Sequence, residues 1–172
     1  MSKSPDKYEV LKLGNQVCFP LYACAKEIVR IYREPLEKIG LTYTQYIVMM
    51  VLWEFGTISE KELGDKLYLD SGTLTPVLKK LEKSGFVKRQ RAEKDERSLN
   101  ISLTAEGINL KEKALNVPQA LDGCIHLSYD EILTLRELLN KSLDGQKKKK
   151  KRKNKGKTIW KSKRLNSVKT VL

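Results

Sequence analysis

A chain of 172 residues has room for one well-buried domain and not for two ordinary ones. Its longest purely apolar stretch, Tyr46 to Trp53, falls far short of the roughly 18 residues that span a bilayer, which excludes an ordinary membrane helix. The net charge of +13 resides beyond Gln146, where 13 Lys or Arg and no acid occur; the remaining 21 basic residues face 21 acidic ones, so whole-chain charge says little about the body's partners.

The first eight residues are polar, carry both signs of charge and are unlike a signal or transit peptide, which predicts a cytoplasmic protein. From Val10 to about Glu34, Leu13, Val17, Leu21, Ile28 and Ile31 recur at helical spacing, and Pro20 either kinks this helix or marks a late start. The helix is apolar around much of its circumference, which predicts cover from another element or subunit. After a turn near Gly40, Thr42 or Thr44 caps a second helix running to about Phe55. Ser59 and Glu62 form a capping box for a short third helix, Glu60 to Leu67. Asp70 or Ser71 caps a fourth, which Ser84-Gly85 stops near Lys83. Phe86 to Gln90 and Leu99 to Leu103 read as strands of a hairpin with a charged, protruding tip. Thr104 caps a helix to about Asn116, Pro118 interrupts, and the capping box Ser128/Glu131 opens a last helix to about Leu143. Lys147 onward is a low-complexity lysine run that predicts disorder.

Two short helices joined by Tyr68-Leu69-Asp70 and followed by a charged hairpin predict a mostly α fold with a small β wing, a winged helix-turn-helix. Such a motif puts the N-terminal end of its second helix into the major groove, where free N–H groups and small hydroxyls meet phosphates and base edges. That end reads Asp70-Ser71-Gly72-Thr73-Leu74-Thr75-Pro76, with Ser71, Thr73, Thr75 and Pro76 at the contact and Lys79 and Lys80 farther along for phosphates or guanines. Leu74, Val77, Leu78 and Leu81 form the buried face. The hairpin tip adds Arg89, Arg91, Lys94 and Arg97, suited to the minor groove, with Asp95 or Glu96 orienting Arg97.

Three cysteines, Cys18, Cys24 and Cys124, are too few for a disulfide scaffold; with one histidine and no CxxC pair, neither a metal site nor a cofactor is expected. Cys18 lies in the apolar first helix with Tyr22 one turn on, where a hydroxyl donor can serve a thiolate. Tyr32 points within about 40° of Cys18 but about 21 Å along a straight helix, so it reaches only a partner's Cys18. Cys24, about 9 Å of rise and 120° away, is beyond disulfide geometry from Cys18 and is expected to pack.

The stretches Asp70 to Pro76 and Asp95-Glu96-Arg97 resemble MarR-family regulators. With Gln16-Val17-Cys18-Phe19, Leu21-Tyr22 and Leu41 to Tyr46 they are similar to the organic-hydroperoxide-sensing, OhrR-like branch over roughly Leu11 to Leu143. The resemblance implies a homodimer built from first and last helices (residues 11–34 and 104–143) around a DNA-binding region at 42–103, all within a domain spanning 1–146. It implies binding to an inverted-repeat operator in double-stranded DNA, with an organic hydroperoxide as effector. Cys18 matches the reactive cysteine, and Tyr32 and Tyr43 match tyrosines donated from the other subunit. Oxidised Cys18 is then trapped by a low-molecular-weight thiol or by Cys124, a candidate resolving cysteine. A regulator answering a small apolar or phenolic ligand, a global stress or virulence regulator of the same branch, and a thiol peroxidase are the rival readings; no paired Arg–Cys motif favours the enzyme. The 147–172 tail either adds nonspecific DNA affinity or is a dispensable extension.

Overall fold

The computed structural model describes residues 7–92, 95–121 and 123–145, without the side chains of 92 and 95–98. The lysine-rich tail lies outside the described residues. The chain divides into two compact units after Cys124.

In the first unit, two 3-10 turns, Glu9–Leu11 and Leu13–Asn15, precede α1 (Cys18–Ile31). The expected helix from Val10 thus starts late, with Pro20 in its first turn, where a missing N–H costs no helical bond. It also ends early: Tyr32 separates α1 from the short α2 (Arg33–Glu37). α3 (Tyr43–Phe55) opens on a capping box in which the Thr42 hydroxyl accepts from the Gln45 amide at 3.4 Å and Gln45 Oε1 accepts from Thr42 N at 2.8 Å. α4 (Glu60–Leu67) opens on the predicted Ser59/Glu62 box, and α5 (Ser71–Lys83) on Asp70, whose Oδ1 accepts from Thr73 N at 2.8 Å.

The wing strands are longer than expected, β2 over Val87–Ala92 and β3 over Asp95–Leu103, because pairing continues through charged residues that carry no period-2 signal. A two-residue strand, β1 (Ile58–Ser59), was not anticipated. It pairs antiparallel with β3, Ile58 opposite Ile101, giving a sheet ordered β1-β3-β2. α6 (Ala105–Ala114) follows, capped by Thr104, and then a 3-10 turn at Pro118–Leu121.

The core lies where α3, α4 and α5 meet the sheet: Val48, Met49, Leu52, Leu63, Leu74, Leu78, Leu81 and Ile101 are solvent-free. α1 contributes no buried residue, and Phe19, Leu21, Tyr22 and Val29 on it are exposed, as is Val17 just before it. Cys24 is exposed as well, so the packing role expected for it has no support within the chain. The second unit holds a helix, α7, over residues 129–145. Its predicted capping box is formed: the Ser128 hydroxyl and amide both donate to Glu131 at 2.8 Å. Ile132, Leu135, Leu138 and Leu139 form an uncovered apolar stripe on it. Among the described residues no helix is long and apolar enough to cross a membrane.

Candidate functional site

The helix-turn-helix is tight. Tyr68 ends α4 in the left-handed region (φ 58°), and Leu69 N donates back to the Gly64 carbonyl at 3.0 Å. A Cβ on Gly64 would stand 2.8 Å from the Leu69 carbonyl oxygen, so the close approach of turn to helix requires glycine. On α5 the buried side is Leu74, Leu78 and Leu81, with Val77 half-buried, as expected. At 100° per residue, Gly72, Thr73, Pro76, Lys79 and Lys80 share the opposite, exposed face, while Ser71 is exposed at the helix start. Asp70 is held below the ordinary carboxylate range, chiefly by the Thr73 backbone N–H, so it caps the helix as an anion.

Two expected reading residues are engaged elsewhere. The half-buried Thr75 donates its hydroxyl to Glu60 Oε1 at 2.6 Å, tying the first turns of α5 and α4 together. Arg89 is not at the hairpin tip. It lies on β2 opposite Ile101, its side chain 14% exposed, with Nη1 3.6 Å from Glu82 near the end of α5. Glu82 also accepts the Arg89 backbone N–H at 3.2 Å, and Arg89 Nε is buried without a hydrogen-bond partner among the described residues. Arg91 is exposed, and the register shifts between Arg91 and Ala92. The side chains of Lys94, Asp95, Glu96 and Arg97 lie outside the described residues.

Cys18 is the first residue of α1 and exposed, and its thiol faces Gln16 Oε1 at 3.9 Å. Gln16 is itself held by donating Nε2 to the Val10 carbonyl. Tyr22, one turn on, is exposed. Tyr32 and Tyr43 are brought together, ring centroids 5.5 Å apart, and Tyr46 joins them 6.0 Å from Tyr32. Burial first, then the neighbouring tyrosines, pushes the Tyr32 hydroxyl above its ordinary value, and burial does the same to Tyr46. Both therefore stay protonated donors at neutral pH. Continuous α1 puts Tyr32 about 20 Å along the axis from Cys18 of the same chain. In the sequence Tyr46 falls in the Leu41–Tyr46 stretch and opens an apolar run but receives no role at the thiol site; its hydroxyl in that run is the available signal. Cys124 is exposed, and its thiol donates to the Ala120 carbonyl at 3.5 Å. All three cysteines are free, and among the described residues no group of three or more metal-ligating side chains is gathered.

A helix-turn-helix followed by a two-stranded wing defines a winged-helix, DNA-binding module. Residues 30–114 match the family model "Transcriptional regulator SarA/Rot". The organic hydroperoxide resistance transcriptional regulator of Bacillus subtilis is 45% identical over 134 residues, covering 78% of this chain and 91% of that protein. Reduced AbfR bound to DNA, a Staphylococcus epidermidis protein, superposes with TM-score 0.68 at 38% identity, over 81% of this chain and 98% of that one. With its disulfide formed, AbfR covers 81% of this chain and 94% of its own at the same 38% identity, and the TM-score is 0.54. The chain belongs to the MarR family of winged-helix transcriptional regulators, in its SarA/Rot-type group.

Proposed function

We propose that the chain is a cytoplasmic, homodimeric transcriptional repressor that leaves its operator when Cys18 is oxidised by an organic hydroperoxide. The observation that carries this reading is the separation, within one chain, of an exposed Cys18 from the Tyr32–Tyr43 pair by the length of α1. A second copy laid antiparallel along the uncovered apolar side of α1 brings the tyrosines of one protomer to the thiol of the other. The exposed apolar stripe of α7 is a second surface that a partner protomer can cover. Ser71, Thr73, Pro76, Lys79 and Lys80 then read or clamp DNA on α5, with Asp95 and Arg97 in the wing. Thr75 and Arg89 hold the reading helix in place instead of touching DNA.

In the chemical step the Cys18 thiolate attacks the terminal oxygen of the hydroperoxide. The S–O bond forms as the O–O bond breaks, and the departing alkoxide takes a proton to become the alcohol. Sulfur is oxidised by two electrons to a sulfenic acid, and the peroxide is reduced. A second thiol, Cys124 of the other protomer or a small external thiol, displaces the sulfenic oxygen as water and leaves a disulfide. The AbfR structures described as reduced on DNA and as disulfide-formed support a switch of this kind. The test is operator binding at fixed salt before and after one equivalent of cumene hydroperoxide. Oxidation releases the wild type and spares Cys18→Ser; if both proteins stay bound, Cys18 is not a sensor.

A further inference from the structure

The tyrosines assigned to the thiol are the first members of a chain of contacts that runs through the protomer to the root of the wing. Tyr43 meets Tyr32, and Tyr32 meets Tyr46, at 5.5 and 6.0 Å between ring centroids. Tyr46 meets Trp53 edge-on at 6.3 Å. From there the contact becomes directional: Trp53 Nε1 donates to the Gly107 carbonyl at 2.8 Å, joining α3 to the first turn of α6 across 54 residues.

Gly107 stands at a close backbone approach. A Cβ there would lie 2.0 Å from the Phe86 carbonyl oxygen. The Phe86 oxygen accepts Thr104 N at 3.1 Å, and the Thr104 hydroxyl donates to the Gly85 carbonyl at 2.6 Å while accepting Gly107 N at 3.0 Å. Gly85 and Phe86 are the turn that carries the end of α5 into β2. A shift of the indole therefore pulls on the backbone from which both the reading helix and the wing depart. Coupling between two sites travels through contiguous contacts and hydrogen bonds, and here the Trp53–Gly107 and Thr104–Phe86 bonds join the indole directly to that backbone.

We infer that Trp53 is a positioning residue for operator release: it conveys the state of the thiol site, through Tyr46, to the α5–β2–α6 joint. This rests on the sensor reading of Cys18 given above.

The test uses the full chain carrying Trp160→Phe, which leaves Trp53 as the sole tryptophan. Operator Kd is measured with reduced protein and after one equivalent of cumene hydroperoxide, with and without Trp53→Phe. Phenylalanine keeps an aromatic ring beside Tyr46 while deleting the N–H donor and the second ring of the indole. We expect reduced-state affinity within about threefold of the parent, and an oxidative loss of affinity cut by about tenfold, inside the range of ordinary site–site coupling. A merely structural tryptophan would leave the oxidised-to-reduced ratio unchanged, and that result overturns the inference while the sensor reading stands. A parent indifferent to oxidant overturns both. Should Trp53→Phe not fold, the emission of Trp53 in the parent decides. It must shift on oxidation and stay constant in Cys18→Ser; constant emission through an oxidation that releases DNA also overturns the inference.

Discussion

Gly107→Ala is expected to be among the most damaging single changes in the first unit, although it adds one methyl group. The new Cβ would sit 2.0 Å from the Phe86 carbonyl oxygen, 3.0 Å from its carbon and 3.3 Å from Leu103 Cδ2. Relief needs a displacement of about 1 Å between two backbone segments that hydrogen bonds hold together. Overpacking of this kind costs about 1–3 kcal/mol. The displacement also strains the Trp53–Gly107 bond at 2.8 Å and the Thr104–Phe86 bond at 3.1 Å. Each contributes about 0.5–1.5 kcal/mol net, so the total loss is about 2–6 kcal/mol. Urea unfolding at one fixed protomer concentration measures it, since the stability of a dimer depends on concentration. Gly14→Ala is the control: nothing lies within 4 Å of its Cβ position, so the change is expected to be neutral or stabilising by up to about 1 kcal/mol. A Gly107→Ala penalty below about 1 kcal/mol would mean the α6–Phe86 joint yields readily, and the reasoning from its tightness fails.

Thr75→Val removes the 2.6 Å bond to Glu60 and is expected to lower stability by about 1 kcal/mol, read by urea unfolding, whereas Thr73→Val, which loses an exposed side-chain bond to the Asp70 carboxylate, weakens operator binding with a smaller change in stability. Equal effects of the two on DNA binding would return Thr75 to the reading face. Glu82→Ala strands the largely buried Arg89 guanidinium and is expected to cost about 1–3 kcal/mol, discounted for the partial exposure of Glu82, with Arg89→Met milder than Glu82→Ala in the same unfolding assay. The depressed Asp70 carboxyl contributes stability that is present above its unfolded value near 3.8 and lost as pH falls through its lower folded value. The urea-midpoint difference between wild type and Asp70→Asn should therefore be constant above about pH 5 and shrink below about pH 4; a difference flat to pH 3 contradicts the assignment. Deleting residues 147–172 removes 13 positive charges and should flatten the salt dependence of nonspecific DNA binding, measured as the slope of log K against log salt, while the oxidative response persists.

The bounds of α4 and the reach of α5 were legible in the sequence because their signals are local. Ser59 with Glu62 and Asp70 before Thr73 satisfy orphan N–H groups within four residues, so sequence spacing contains the geometry. What the sequence leaves unseen depends on partners far along the chain. A two-residue strand has no period, and β1 exists only because Ile58 meets Ile101. Arg89 reads as a wing charge until the hairpin pairing turns it onto Glu82, and Thr75 reads as a groove hydroxyl until α4 presents Glu60. The thiol site was legible as residue types, through Cys18, Tyr32 and Tyr43, but Tyr46 carries no role in the sequence reading and Trp53 reads as an ordinary member of an apolar run. Periodicity reports that such residues are buried and is silent on which hydroxyl or indole faces which carbonyl.

The neutrality of the body follows from the same division of labour. A protein meant for DNA gains from Lys and Arg, yet the acids placed around the reading helix carry its frame. Asp70 caps α5, Glu62 accepts from the Ser59 amide and hydroxyl at the start of α4, Glu60 joins the two helices by accepting Thr75, and Glu82 fixes Arg89 between α5 and β2. Each carboxylate is committed to a donor of the protein itself, which lowers its effect on an approaching phosphate. The exposed face of α5 is left to Thr73, Pro76, Lys79 and Lys80, a hydroxyl and two cations on a helix that other charges hold still. Equal numbers of acids and bases are thus compatible with a DNA reader, because position decides which charges meet DNA and which hold the element that does.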